Sequence, residues 1–331
     1  MTTKKPCATA GAIKPKPTDE SAAAANSAKT AEKPPTDSVA GYVASSSSKA
    51  TKRAYASDVR HFIRYGGALP ATPAMVAEYL AKFAPTMKVA TLERRCVAIA
   101  QAHRSQGLKS PMKADLVMAT MKGIRRQHGT RQRAVKPITR DVLLEMLAVL
   151  DQQKSHPTKA ARDRALLLVG FAGAFRRAEL VALRVEDVTF HETHAEVLLR
   201  FSKTDQFGKG RTVFLPKASG ERCPIQSLRA WLDVARIETG WLFRSVTKGG
   251  TISLEPLSAQ SVALIVKRAA KAMGREPEEF SGHSLRAGYV TTAAMASLPT
   301  WLIREQTGHR SDAVLARYIR PVEKRKIPSL L

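Results

Sequence analysis

The sequence predicts a mainly α protein with a small antiparallel β-sheet, divided into two domains. Apolar residues recur with helical spacing through most of the chain after Thr51, and strand-like alternation is confined to one pair of segments. The length of 331 residues also exceeds the ~150 typical of one domain. With 44% hydrophobic residues the chain can bury a core of ordinary size. Its 54 Lys and Arg against 28 Asp and Glu leave a net charge of +26, a surplus matched by nucleic acid or by an anionic membrane. The longest nearly apolar runs, such as Ala165 to Phe175, fall well short of the ~20 residues that span a bilayer, so no membrane partner is expected.

Residues 1–48 are rich in Ala, Ser, Thr, Pro and Lys without apolar periodicity, and are expected to form a disordered tail. The tail lacks the apolar run of a secretory signal. It holds six Lys against four acidic residues, so the positive surplus belongs mainly to the folded part. Cys7, Cys96 and Cys223 are odd in number and far apart, a pattern of neither a zinc site nor a disulfide framework. A reducing cytoplasm and no structural metal are the expectation.

Residues 49–127 read as a helical domain. The first helix sets Tyr55, Val59, Phe62 and Ile63 on one face and Lys52, Arg53, Arg60 and Arg64 elsewhere. The second opens with Thr72 and Pro73 as cap and first-turn residue and turns Val76, Tyr79, Leu80 and Phe83 inward. A third, from near Thr91, buries Leu92, Cys96, Ile99 and His103 and exposes Arg94 and Arg95. The fourth follows Ser110-Pro111, with Leu116, Ala119, Met121 and Ile124 as its apolar side. Residues 128–137 form a basic linker suited to lie along a phosphate backbone. In the second domain, 138–331, helices are expected near Thr139 to Leu150, Ala160 to Ala172, Pro224 to Thr239 and Ser258 to Met273, with three more between Ser284 and Tyr318. The strand pair runs over Ala195 to Phe201 and Thr212 to Leu215, joined by a Gly-containing loop that begins Lys203-Thr-Asp-Gln.

Three short segments carry chemistry: Gly173-Ala-Phe-Arg-Arg-Ala-Glu-Leu180, His283-Ser-Leu-Arg286, and Gly308-His309 followed nine residues later by Tyr318. Taken singly, Arg176 could simply pair with Glu179, His283 could cap a helix, Lys203 could be solvent-exposed and Tyr318 could be packing. In this order and spacing, with Lys203 on the hairpin, they resemble the signature of the tyrosine recombinase family, the lambda-type integrases. The segments Ser281-Gly-His-Ser-Leu-Arg286, Tyr318-Ile-Arg320 and His103-Arg-Ser-Gln-Gly-Leu108 are similar to its Cre-like members, although His309 stands where those carry Trp.

That resemblance implies a SAM-like core-binding domain and a catalytic domain that close as a C-shaped clamp on duplex DNA. It implies that Tyr318 is the nucleophile, forming a 3′-phosphotyrosyl link that conserves the phosphodiester energy for rejoining. Arg176 and Arg286 would clamp the phosphate oxygens with their planar forks, and Lys203 would give a proton to the departing 5′ oxygen. His283 and His309 would contact the phosphate and manage protons, with Glu179 as a support one turn after Arg176. Cations supply the charge, so no cofactor is expected. The helix opening at Ser258 would present Gln260 to a base edge, and Lys248, Arg53, Thr91 and Arg94 would contact phosphate or bases. The implied partner is double-stranded DNA bearing inverted repeats, bound by four copies that exchange strands through a Holliday junction; the free chain would be monomeric. A type IB topoisomerase and a DNA-binding protein without catalysis are the alternatives.

Overall fold

The computed structural model describes residues 38–130, 135–152, 156–200 and 210–323. The chain divides into two compact units, Met1–Gln132 and Arg133–Leu331. Among the described residues no helix is long and apolar enough to cross a membrane.

Most of the expected tail lies outside the described residues, but its last part does not behave as expected. Ser38 caps a short helix, α1 (Val39–Ser45), by accepting from Gly41 N at 3.0 Å. Four helices follow: α2 (Lys49–Arg64), α3 (Pro73–Phe83), α4 (Val89–Ser105) and α5 (Asp115–His128). Thr72 caps α3 through Met75 N, and Pro73 occupies the first turn, where its missing N–H costs nothing. Phe62, Val76, Tyr79, Leu80, Leu92, Ile99, Val117, Met121 and Ile124 form the core of this unit. His103 is buried with both ring nitrogens engaged, by Ala71 N and by the Ile99 carbonyl.

Three placements differ from the sequence reading. Ile63 is half exposed, because α2 buries the stripe through Asp58 and Phe62. Leu116 and Ala119 face outward, since the inward stripe of α5 keeps Met121 and Ile124 but starts from Val117. Arg95 is buried: its guanidinium donates to the Tyr79 hydroxyl at 2.6 Å and lies 3.6 Å from the buried carboxylate of Asp58.

The second unit opens with α6 (Arg140–Asp151) and α7 (Pro157–Ala172), followed by the short α8 (Arg177–Val181). A three-stranded antiparallel sheet, β1 (Val188–Phe190), β2 (His194–Leu199) and β3 (Arg211–Pro216), comes next, in that spatial order. Then come α9 (Pro224–Ala235), a second two-stranded sheet of β4 (Arg244–Val246) and β5 (Ile252–Pro256), and α10 (Ala259–Ala272). The chain continues through α11 (His283–Met295), α12 (Thr300–Thr307) and α13 (Asp312–Glu323). One sheet was expected; the described residues form two. The second was hidden because β4 and β5 carry no clean alternation, all three β4 residues being partly buried.

A large core joins α6, α7, α9, α10 and the first sheet, with Trp231, Phe243 and Phe175 among its largest members. Val290, Ala293, Ala294, Ile303, Leu315 and Ile319 form a separate cluster that fastens α12 and α13 to α11. The segment entering the unit runs against α11, with Ile138 N donating to the Ser284 carbonyl at 2.9 Å. Gly288 makes this approach possible, since a Cβ there would lie 1.7 Å from the Ile138 carbonyl oxygen. Gly288→Ala should therefore destabilise the second unit by about 1–3 kcal/mol, as overpacking against rigid backbone does, read as a lower urea midpoint.

Candidate active site

The site is built where α7 and α12 end, α8 and α11 begin, and α13 passes. Helix α7 ends at Gly173, and Ala174 takes a left-handed conformation (φ +50°), sparsely populated by residues with a side chain. That turn aims the Ala174 carbonyl at Arg286, whose Nη1 donates to it at 2.8 Å. Two residues on, Arg176 precedes α8, and the buried carboxylate of Glu179 accepts both its backbone N–H (2.9 Å) and its Nη1 (2.5 Å). Glu179 thus fixes the side chain and the backbone of Arg176 together.

His283 is the first residue of α11 and Arg286 lies one turn later on the same face. Arg286 is 2% exposed, and its Nη2 reaches His309 Nε2 at 3.3 Å. His309 follows the end of α12, where Gly308 (φ +65°) closes the helix with its N–H on the Arg304 carbonyl. Tyr318, on α13, shares a 2.7 Å hydrogen bond with His283 Nε2, and its ring lies 6.1 Å from that of His309. Arg176, Glu179, His283, Arg286, His309 and Tyr318 therefore converge. Lys203 lies outside the described residues; the strands on either side of its loop, β2 and β3, are in register from Leu199 opposite Arg211.

Cations crowded away from water disfavour one another's charge. Burial, and then Arg176, lower the Arg286 guanidinium to about 10. Burial, followed by Arg286 and Arg176, pushes His309 down to about 4 and holds His283 below the usual histidine range. The His309 tautomer follows from its partners. The Thr307 hydroxyl gives its one proton to the Ile303 carbonyl at 2.6 Å and so accepts from His309 Nδ1 at 2.7 Å. Nε2 then keeps its lone pair and faces the Arg286 donor.

Of the DNA-contact candidates, Arg53, Lys248 and Gln260 are exposed and Thr91 is half-buried. Arg94 is exposed but its guanidinium forks onto Asp58 at 2.8 and 2.9 Å. The Ser258 hydroxyl is used as the cap of α10, accepting from Ser261 N. In the expected phosphate strap, Lys136 is paired with Glu279 at 2.6 Å. The sequence reading missed Arg211, which reaches the last turn of α12 from β3. Its signal was available: alternation places it on the inward face with the buried Val213 and Leu215. Among the described residues His191, His194 and Glu196, at the β1–β2 turn, bring three potential metal-ligand atoms within 4.8 Å of one another. That group lies at the opposite end of β2 from the Lys203 loop.

Fixed guanidiniums and imidazoles around a tyrosine hydroxyl, with the one nearby carboxylate among the described residues engaged by Arg176, define an enzyme that handles a phosphodiester: one that breaks and rejoins DNA strands. Residues 136–325 match the model of the phage integrase family. An integrase/recombinase XerD homolog of Selenomonas ruminantium is 38% identical over 278 residues, covering 81% of each chain. The prophage integrase IntF of Escherichia coli K12 is 28% identical over half of this chain and 31% of its own length. Among solved structures, the XerH recombinase in its post-cleavage complex with palindromic difH shares the fold at a TM-score of 0.60 and 18% identity, covering 77% of this chain and 70% of that one. A lambda integrase dimer bound to a COC′ core site does so at 0.61 and 17% identity, covering 88% and 77%. The chain belongs to the phage integrase family, the tyrosine recombinases, and is a site-specific DNA recombinase.

The depressed histidines have a measurable consequence. In the unfolded chain His309 takes up a proton near pH 6.5, whereas in the fold it resists to about pH 4. Stability is therefore retained above pH 6.5 and lost as pH falls through that interval. Urea midpoints at about pH 7, 5.5 and 4.5 should decline in the native protein, and His309→Gln should flatten part of the decline.

Proposed function

We propose that Tyr318 is the nucleophile of this recombinase and that the described cluster holds the scissile phosphate. The observation that carries the reading is the hydrogen bond between the Tyr318 hydroxyl and His283, set beside the Arg286–His309 pair. His283 is kept neutral by its surroundings, so its Nε2 can take the phenolic proton as the tyrosine oxygen attacks phosphorus. Arg176 and Arg286 match the non-bridging oxygens and stabilise the charge that develops there. Lys203 protonates the departing 5′ oxygen, leaving a 3′-phosphotyrosyl link. Attack by a free 5′ hydroxyl reverses each transfer and rejoins the strand.

No metal or nucleotide enters this scheme. Among the described residues of the cluster the one carboxylate, Glu179, is committed to Arg176, so the donor set suits an anion rather than a metal ion. His309, neutral in the free protein with Nε2 as an acceptor, must take up a proton to donate to a phosphate. A bound phosphate reverses the sign of the local field and raises its pKa, which couples DNA binding to proton uptake.

We also propose that residues 49–127 grip DNA as a core-binding domain, 138–331 as the catalytic domain, with 128–137 as the linker. Arg53, Thr91, Arg94 and Lys248 would contact backbone or bases, and Ser258 would start the helix that presents Gln260 to a base edge. Two copies would occupy each inverted-repeat target and four the synapsed pair, exchanging strands through a Holliday junction. The XerH structure contains palindromic difH, and lambda integrase has been seen as a tetramer on a Holliday junction, at a TM-score of 0.55 and 17% identity to this chain.

On a nicked duplex carrying the target, Tyr318→Phe should bind as the native protein does and yield no covalent adduct; an undiminished adduct would remove Tyr318 from this role. Arg176→Ala should slow cleavage far more than it weakens binding, and equal losses would make it a docking residue. Affinity for DNA should fall as pH rises from about 5.5 to 8, with the trend reduced in His309→Gln; equal slopes in both proteins would place the proton elsewhere.

A further inference from the structure

Arg211 stands at the end of β3 nearest the Lys203 loop, and its guanidinium crosses to the last turn of α12. Its Nη1 donates to the carbonyls of Gln306 (2.9 Å) and Glu305 (3.3 Å), two of the four carbonyls that a helix leaves unpaired at its C-terminus. The side chain lies flat against Gly308: a Cβ there would be 2.8 Å from Arg211 Nε and 3.2 Å from Cζ. Gly308 is thus required twice, for its left-handed backbone and for the space that Arg211 fills. The same turn has a second tie to the same strand, Gln306 Nε2 donating to the Phe214 carbonyl at 2.7 Å and to the Ala172 carbonyl at 2.8 Å. His309 comes directly after this doubly held turn.

These contacts are costly in a way that packing alone does not explain. Arg211 adds a further positive charge to a cluster where charge is already disfavoured: burial lowers its own pKa, and its charge depresses Arg286 and His309. Among the described residues its Nη2 is buried without a hydrogen-bond partner, and an unmade hydrogen bond of this kind is destabilising. A leucine at this inward register position beside Val213 and Leu215 would avoid both penalties, but it would leave the α12 carbonyls unpaired and free the turn that carries His309.

We infer that Arg211 is a positioning residue that fixes the α12–Gly308 turn to β3, so that His309 and the strand returning from the Lys203 loop are held in one register. The inference rests on the active site proposed above. It adds a residue that touches neither the nucleophile nor, through the contacts described, the phosphate. Arg211 acts through His309: when its tie is cut, the imidazole leaves the geometry set by Thr307 and Arg286.

The test combines Arg211→Ala, Gln306→Ala and His309→Ala, alone and paired, in single-turnover cleavage of a nicked duplex. Arg211→Ala should slow cleavage about 10- to 100-fold, the scale of a small misplacement of a reacting group, with DNA affinity changed far less. Gln306→Ala, which cuts the second tie and leaves the charge of Arg211 in place, should slow it in the same sense. In the His309→Ala background neither substitution should slow cleavage further, because both act through the missing ring. Full multiplication of the losses, or a silent Gln306→Ala beside a crippled Arg211→Ala, would overturn the inference and make Arg211 a direct phosphate cation. Nitrogen-15 spectra of the histidine side chains give a reading that needs no DNA chemistry. His309 should be the Nδ1-protonated tautomer in the native protein and a mixture in both variants, with His283 unchanged; an unaltered His309 signal in both would sink the positioning role. If the native protein formed no covalent adduct, the catalytic reading would fail while these spectra still judged the tie.

Discussion

The second unit is organised around the mutual repulsion of cations that must stay together before any anion arrives. Arg176, Arg211 and Arg286 converge with two imidazoles, and burial works against the charges of Arg211, Arg286 and both imidazoles. The fold answers with directed dipoles: the Ala174 carbonyl on Arg286, the Glu305 and Gln306 carbonyls on Arg211, and the carboxylate of Glu179 on Arg176. Each of those oxygens is presented by a helix ending or beginning, and two of the endings need a left-handed residue, Ala174 and Gly308. The histidines complete the balance by staying uncharged. A phosphodiester would be the missing counter-charge, which is why this arrangement suits a transition state richer in negative charge than the resting protein can accommodate comfortably.

Much of this was legible in the sequence because local rules and tertiary structure agree. Thr72-Pro73 and Ser258 announce helix starts and do start α3 and α10, and the strand expected over Thr212 to Leu215 forms as β3. The candidate set was legible for a different reason: the order Arg, Lys, His-x-x-Arg, His, Tyr is carried by residue identity and needs no packing information. Convergence of its described members, from Arg176 to Tyr318, became visible only with α7, α11, α12 and α13 in place.

What escaped the sequence was settled by partners rather than by patterns. Arg94 and Arg95 look alike in the chain, yet Arg95 turns inside to the Tyr79 hydroxyl whereas Arg94 stays at the surface and forks onto the buried Asp58. Leu116 lost its place to Val117 because the turn at Pro111–Lys113 sets the phase of α5. In a chain with 54 basic residues an arginine is by default read as surface, so Arg211 passed unnoticed despite its inward register.

The small cluster under α13 has a consequence for when the enzyme is armed. Tyr318 sits on a helix that is joined to α11 by Leu315 and Ile319 against Val290, Ala293, Ala294 and Ile303, and this cluster is separate from the large core around Trp231. Releasing so few side chains takes much less free energy than unfolding the unit. The hold on α13 is thus distinct from the packing that sets Arg176 and Arg286 in place, so the docking of the helix that carries Tyr318 is a separate event from the assembly of the arginines it faces.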